Sequence, residues 1–389
     1  MRNIISILTA TRAEYGLLKP IILKLSKIEE FDIRIVVTGA HLSTEFGLTY
    51  NEIINDGFII DRKIEILLSS DTPNAISKSM GLAMISFADY FEILKPDLLI
   101  VLGDRYETLA VAMAAMNQRI PIAHLYGGET TEGAVDESIR HALTKLSYLH
   151  FTSTDEYRRR VIQLGEHPSR VFTVGAIGIE NLLNENLLSR EELQNELKVD
   201  LSRDYCMVTF HPVTLENNTS MEQSKTLLEV CRKYKDFNFI FTKSNADTGG
   251  RIINQLIDIY TKNYDNIISF SSLGVTKYLS MVKYALIVIG NSSSGLIEAP
   301  SFGVPTINIG ERQRGRIQAS SVINCSPTSE DIKYSIDLAM SKSFIDEAKK
   351  TINPYGDGNT SDKIIDILKD FVLNKKIDVM KTFYDLEAE

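Results

Sequence analysis

A chain of 389 residues is too long for one ordinary core, so two domains are expected. With 44% apolar and 24% charged residues it has the composition of a soluble globular protein, and its formal net charge of −9 argues against nucleic acid or an anionic membrane surface as a partner. Cys206, Cys231 and Cys325 show neither metal-ligand spacing nor the even count of a disulfide framework, which fits a reducing cytoplasm.

The opening MRNIISILTATRAEYG holds an apolar run too short for a secretory signal, and NIISILTA reads as a first buried strand. The helical pattern GLLKPIILKLSKIEE follows, then the strands DIRIVVTG and DLLIVLGD, the helix YETLAVAMAAMNQ, and the strands IPIAHLYG and YLHFTST. Beyond RVFTVGAIGIENLL the same grammar returns. YCMVTFHP, NFIFTKSN, NIISFSSL, ALIVIGNS and VPTINIGE read as strands, with SKTLLEVCRKYK, GGRIINQLIDIYTK and VTKYLSMVKY as helices between them. Such unbroken apolar runs are buried on both faces, as in a parallel sheet. The expectation is two doubly wound α/β domains, residues 1–175 and 176–360. The segment 361–389 forms a helical tail that packs on one domain or the other. No run is long enough to span a bilayer.

In open α/β sheets ligands sit at the carboxyl ends of the strands, so the residues after each apolar run matter most. Here they are TRAEYG, TGAHL, GDRYE, HLYGGE, HP, SNADTGG, GNSSSGLIE and GERQRGR, rich in Gly, His, Arg and acids in both halves. That composition points to a cleft between two domains holding an anionic ligand. In GNSSSGLIE, Ser292, Ser293 and Ser294 can offer amides and hydroxyls to phosphate at a helix start, and Glu298 can accept from vicinal ribose hydroxyls. The alternative is a capped helix with no ligand. Arg12 and Arg312 suit phosphate, and otherwise make surface ion pairs.

Asp104 ends an apolar strand and is a candidate acid or base, unless Arg105 pairs with it. Glu129, Glu132, Asp136 and Glu137 cluster after the next strand, as a ligand or proton-sharing site, or as first-turn residues of a helix. His211 follows a strand and suits a phosphate donor or a proton carrier. His41 could reach the same cleft, whereas His124 reads as buried, His141 and His150 as structural, and His167 as exposed. There is no strong metal signature and no phosphate-binding GxxxxGK[ST] loop.

Taken in order, RAEYG, LGDRYE, GGE, DESIRHALTK, TSTDEYRRRVIQLGE, HPVTL, SNADTG, GNSSSGLIE, NIGERQRGR and the terminal FYD resemble the hydrolysing UDP-N-acetylglucosamine 2-epimerases, those of bacterial sialic-acid biosynthesis most closely. Single motifs are weak, but the ordered set runs nearly end to end. The resemblance implies two Rossmann-like domains in the glycosyltransferase-B arrangement, with UDP mainly on the second and the amino sugar facing the first. It places Arg12, His211, Asn245, Ser292, Ser293, Glu298 and Arg312 on nucleotide or phosphate contacts, with Arg105 beside them as a substrate-binding candidate. It places Asp104 and Asp136 on catalytic carboxylates, joined here by Glu129 and His211 as candidates.

One departure is Tyr126, where many relatives carry an acid. Glu129 or Glu137 could take that role, or Tyr126 itself could carry a proton. The implied reaction converts UDP-N-acetylglucosamine and water to N-acetylmannosamine and UDP through 2-acetamidoglucal, with no cofactor and no metal. Close relatives act instead on a UDP-linked diacetamido-trideoxy sugar or a GDP-linked sugar, for legionaminic acid. A glycosyltransferase of the same architecture and a non-catalytic nucleotide-sugar sensor are the other readings. The expected partners are the UDP-sugar and further copies of the chain, in a dimer or tetramer, with no nucleic acid and no membrane, in the cytoplasm.

Overall fold

The computed structural model describes residues 2–44, 47–68, 72–130, 135–211, 220–243, 250–271 and 273–386. They hold thirteen strands, in chain order β1 Asn3–Thr9, β2 Phe31–Thr38, β3 Ile60–Ile64, β4 Leu98–Leu102, β5 Ile122–Leu125, β6 Leu149–Thr152, β7 Val171–Thr173, β8 Tyr205–Thr209, β9 Asn238–Thr242, β10 Ile267–Phe270, β11 Val288–Gly290, β12 Thr306–Ile309 and β13 Val322–Cys325. The chain divides into two compact units, Met1–Asn181 with Tyr355–Glu389, and Leu182–Pro354. The division thus falls a few residues after the expected 175. The segment from Tyr355 onward, expected to belong to the second domain up to 360 and then to a separate tail, lies in the first unit.

Each unit is a doubly wound Rossmann-like sheet. The first has strand order β3-β2-β1-β4-β5-β6-β7 and the second β10-β9-β8-β11-β12-β13. All pairings are parallel. In both sheets the first strand is central and the chain reverses direction beside it, giving a switch point between β1 and β4 and another between β8 and β11.

The alternation of side chains explains why these runs are apolar throughout. Along β4, Leu98, Ile100 and Leu102 face the core under the helices Arg12–Leu25 and Thr360–Leu373, while Leu99 and Val101 face the helices Pro73–Leu94 and Tyr106–Asn117. In the second unit Cys206 and Val208 of β8 point to one core and Tyr205 and Met207 to the other. The strands that periodicity did not reveal are β3, β7 and β13, all at sheet edges. β3 carries Asp61, Arg62 and Lys63 in its middle, as suits a strand with one open side.

The first helix starts at Arg12, earlier than the apolar pattern suggests. Thr11 caps it and Glu14 closes a reciprocal capping box. The helix Thr360–Leu373 packs in the first unit through Ile364, Ile365, Leu368 and Val372. Its first turn is anchored by the buried Glu180, which accepts from Ser361 N at 2.6 Å and pairs with Lys24 at 3.2 Å. Among the described residues no helix is long and apolar enough to cross a membrane.

Candidate functional site

At the second switch point the ends of β8, β11 and β12 are tied together by one residue, Asn291. Gly290 ends β11 with φ 135°, and a Cβ there would lie 1.9 Å from the Thr209 carbonyl oxygen, so glycine is required for the approach to β8. The next residue, Asn291, is fully buried. Its N–H donates to Thr209 O at 3.2 Å, and its Oδ1 accepts from His211 N at 2.7 Å. Its Nδ2 donates to His211 O at 2.8 Å. Its carbonyl accepts from Arg312 Nη1 at 2.9 Å and from Gln313 Nε2 at 2.8 Å. His211 and Arg312, singled out separately in the sequence, are therefore brought together. Asn291 and Gln313 were missed, although the polar residue directly after an apolar run was a usable signal.

Ser292 and Ser293 are half-buried and lead into a helical turn, Ser294–Ile297, that continues as a 3-10 turn, Ala299–Phe302. The helix expected after GNSSS is thus only four residues long, so the contribution of a helix dipole here is small. Glu298 closes the turn. Its Oε2 and the Ser294 Oγ beside it are buried and make no well-formed hydrogen bond among the described residues, the Ser294 hydroxyl still helping to hold the carboxyl down. Burial pushes the Glu298 carboxyl above the usual carboxylate range. A buried carboxylate oxygen without a well-placed donor is costly, and a ligand hydroxyl would satisfy it. Asn245 and the residues after His211 in HPVTL lie outside the described residues.

At the first switch point the arrangement differs from the expected pairing in several places. Arg12, the first helical residue, is exposed and forms an ion pair with Glu52 at 2.9 Å, the surface alternative named for it. Arg105 does not pair with Asp104. It makes a two-pronged contact to the buried Glu107, Nε at 3.2 Å and Nη2 at 3.0 Å. Asp104 pairs instead with Arg140 of the helix Val135–Leu146, and Arg140 also reaches Glu137 at 3.4 Å. His141 contacts Glu137 at 3.1 Å. Asp136, on the same helix, is exposed. Glu129 accepts from Ser153 Oγ at 2.9 Å. Glu132 lies outside the described residues.

Tyr126 has φ 67°, unusual for a bulky residue, and its phenol oxygen accepts from Ile177 N at 2.8 Å. The phenol thus anchors the start of the helix Ile177–Asn184. His41 is not at a ligand-facing position, contrary to expectation. It is fully buried between Thr9 Oγ1 at 2.9 Å and Thr49 Oγ1 at 2.8 Å, and burial lowers its pKa to about 4. His124 is buried as expected and donates from Nε2 to Gly103 O at 2.8 Å.

Glu14 is a further titratable group at this end of β1. It is 8% exposed, and its Oε2 accepts from Ala10 N at 2.7 Å and Thr11 N at 3.0 Å. Its Oε1 has no partner among the described residues, and burial raises its pKa to about 7. The Thr-x-x-Glu spacing of Thr11 and Glu14 was the sequence signal for it.

The first unit therefore gathers carboxylates able to move protons near β4 and β5, held among Arg105, Arg140 and Ser153. The second presents a braced set of amides, a guanidinium and a poorly satisfied buried carboxyl.

The family model described as UDP-N-acetylglucosamine 2-epimerase matches residues 23–369. The chain is 43% identical to the GDP/UDP-N,N'-diacetylbacillosamine 2-epimerase (hydrolyzing) of Campylobacter jejuni, over 87% of this chain and 88% of that protein. It is 41% identical to the polysialic acid biosynthesis protein P7 of Escherichia coli, over 97% of this chain and 96% of that one. Its fold matches the crystal structure of UDP-GlcNAc 2-epimerase from Neisseria meningitidis bound to UDP-GlcNAc with a TM-score of 0.76 at 20% identity, covering 96% of this chain and 100% of that chain. On this identity and coverage, the chain belongs to the UDP-N-acetylglucosamine 2-epimerase family.

Proposed function

We propose that the protein is a hydrolysing 2-epimerase of a UDP-linked 2-acetamido sugar. The observation that carries this reading is Glu298, whose buried Oε2 has no well-formed hydrogen bond beyond the Ser294 hydroxyl beside it and lies a few residues past the braced tips of β8, β11 and β12. A ribose supplies well-placed hydroxyl donors for this oxygen. Ser292, Ser293, His211, Arg312 and Asn245 then serve the diphosphate, whose departure needs electrostatic help. Arg12 and Arg105 are the cationic candidates of the first unit for the same substrate.

The chemistry follows from the carboxylates. One of Asp104, Glu129 and Asp136 takes the C2 proton. The C2–H electron pair forms the C1=C2 double bond as the C1–O bond breaks and UDP leaves. Water then adds its oxygen to C1 while a proton is delivered to C2 from the opposite face, and the free 2-epimeric sugar is released. Glu129 or Glu137 takes the role of the acid that relatives carry at position 126, or Tyr126 itself, whose phenol oxygen accepts from Ile177 N, carries the proton.

Two sugars fit this reading. UDP-N-acetylglucosamine would yield N-acetylmannosamine for sialic acid synthesis, in keeping with the polysialic acid biosynthesis relative. A UDP-linked diacetamido-trideoxy sugar is favoured by the relative that shares 43% identity and is named for diacetylbacillosamine. Incubation with each nucleotide sugar alone, followed by NMR of the free sugar, tests the proposal. Release of a free 2-epimer from either one supports it and selects the substrate. Release of UDP only when an acceptor is added points to a glycosyltransferase, and binding without turnover points to a sensor.

A further inference from the structure

We infer that Asn291 is a positioning residue for the diphosphate: it never touches the ligand, but holds His211 and Arg312 in one fixed arrangement at the strand ends. This rests on the reading of His211 and Arg312 as diphosphate contacts.

Asn291 makes five hydrogen bonds, donating to Thr209 O and His211 O and accepting from His211 N, Arg312 and Gln313. It sits one residue past the register in which Gly290 pairs with both Thr209 and Asn308. The regular β8–β11 ladder stops there. The side-chain carboxamide of Asn291 replaces the missing strand peptide. Its Oδ1 and Nδ2 meet the N–H and C=O of a single residue, His211, as a neighbouring strand would. The orientation of the amide is determined, because the His211 carbonyl can only accept.

This explains why the position is Asn. Aspartate has the same shape but would put a second acceptor against His211 O. Alanine would leave the N–H and C=O of His211 without their partners, a buried polar loss. The other end of the residue performs the second task. Its carbonyl oxygen accepts from both Arg312 and the buried Gln313, so the guanidinium is tied to the tip of β11 by one bond and the adjoining residue is fixed on the same acceptor by another. A guanidinium held in advance loses less entropy when it meets a phosphate. Because the His211 brace and the Arg312 anchor are on the same residue, displacing either should displace the other.

The test is a double-mutant cycle on the full chain with UDP as the probe. UDP affinity is measured by calorimetry for wild type, Asn291→Ala, Arg312→Ala and the double variant, and the melting midpoint is recorded for each. The expected result is a loss of affinity of about ten- to hundredfold for Asn291→Ala. The double variant should lose less than the sum of the two single losses, because Asn291 acts partly through that guanidinium and partly through His211. Asn291→Asp, which keeps the volume, and Gln313→Ala, which removes only the companion bond, carry the same comparison if Asn291→Ala does not fold. Both should weaken UDP with a high KM and a smaller change in kcat. A fall in the melting midpoint with unchanged UDP affinity, or strictly additive losses with Arg312→Ala, would mean that Asn291 only braces the fold, and would overturn the inference. Wild-type protein that binds no UDP would instead sink the functional reading itself.

Discussion

Lys381 donates from Nζ to both carboxylate oxygens of the fully buried Glu166, each at 2.9 Å. Lys145 and His150 also reach Glu166, at 2.6 Å and 3.2 Å, and Lys381 donates as well to Ser147 O at 2.7 Å. Three residues on, Tyr384 N bonds to Gly165 O at 2.9 Å. The terminal FYD motif is thus part of a strap fastened to the first unit.

Burial alone would raise the Glu166 carboxyl, but His150, Lys145 and Lys381 hold it at about 2, below its ordinary 4.5. A carboxylate depressed in the folded state contributes stability that is present above pH 4.5 and is lost as the pH falls towards 2. Lys381→Met should lower unfolding free energy by about 1–3 kcal/mol at neutral pH. It should also move the onset of acid unfolding to higher pH. Urea titrations across the acid range check this, and a variant as stable as wild type at every pH would show that the strap adds nothing.

Glu14 should act with the opposite sign. Its folded pKa of about 7 lies above the ordinary 4.5, chiefly through burial, with Arg105 lowering it and Glu107 raising it. Stability from its neutral form is complete below pH 4.5 and is lost as the pH rises through 7. Glu14→Gln keeps an acceptor for Ala10 N and Thr11 N but cannot ionise. Relative to wild type the variant should gain up to roughly 3 kcal/mol between pH 5 and 8. A constant difference over that range would mean that Glu14 does not titrate there.

Glu298→Ala removes the acceptor assigned to the ribose. UDP binding should weaken by about 1–3 kcal/mol while uridine-free diphosphate is unaffected. Calorimetry with both ligands separates the contributions. Equal weakening of the two would place Glu298 near the phosphates.

Asp104→Asn and Asp136→Asn keep shape and lose proton transfer. Each should reduce turnover by about 10²–10⁴ with UDP still bound. Because Asp104 also pairs with Arg140, its variant should show a lower melting midpoint as well, whereas exposed Asp136 should not. Full activity in either variant would remove that residue from the chemistry.

Turnover in D₂O should place one deuterium at C2 of the released sugar, since water supplies the new C2 hydrogen after elimination. A variant at the proton-delivering carboxylate, tested at Asp104, Glu129, Asp136 and Glu137, should release the glycal instead. Product without deuterium at C2 would rule out elimination.

Sequence alone determined the two-unit α/β architecture, because strands buried on both faces must be apolar throughout and the helices between them must keep a 3.6-residue period. It also pointed to the carboxyl ends of both sheets as the place where a ligand is expected, since a doubly wound sheet binds where its strands finish. The edge strands β3, β7 and β13 escaped, because β3 carries charges along its middle and β7 and β13 are only three and four residues long, whereas the fourth edge strand, β10, keeps an apolar run. Only the tertiary structure decided which partner each polar group takes. Arg105 turns to Glu107 and Asp104 to Arg140, while His41 is enclosed by Thr9 and Thr49. Asn291 became visible as a brace only once β8, β11 and β12 stood side by side. A hydrogen bond is decided by a few tenths of an ångström between elements far apart in the chain, and periodicity along one strand or helix carries no record of that distance.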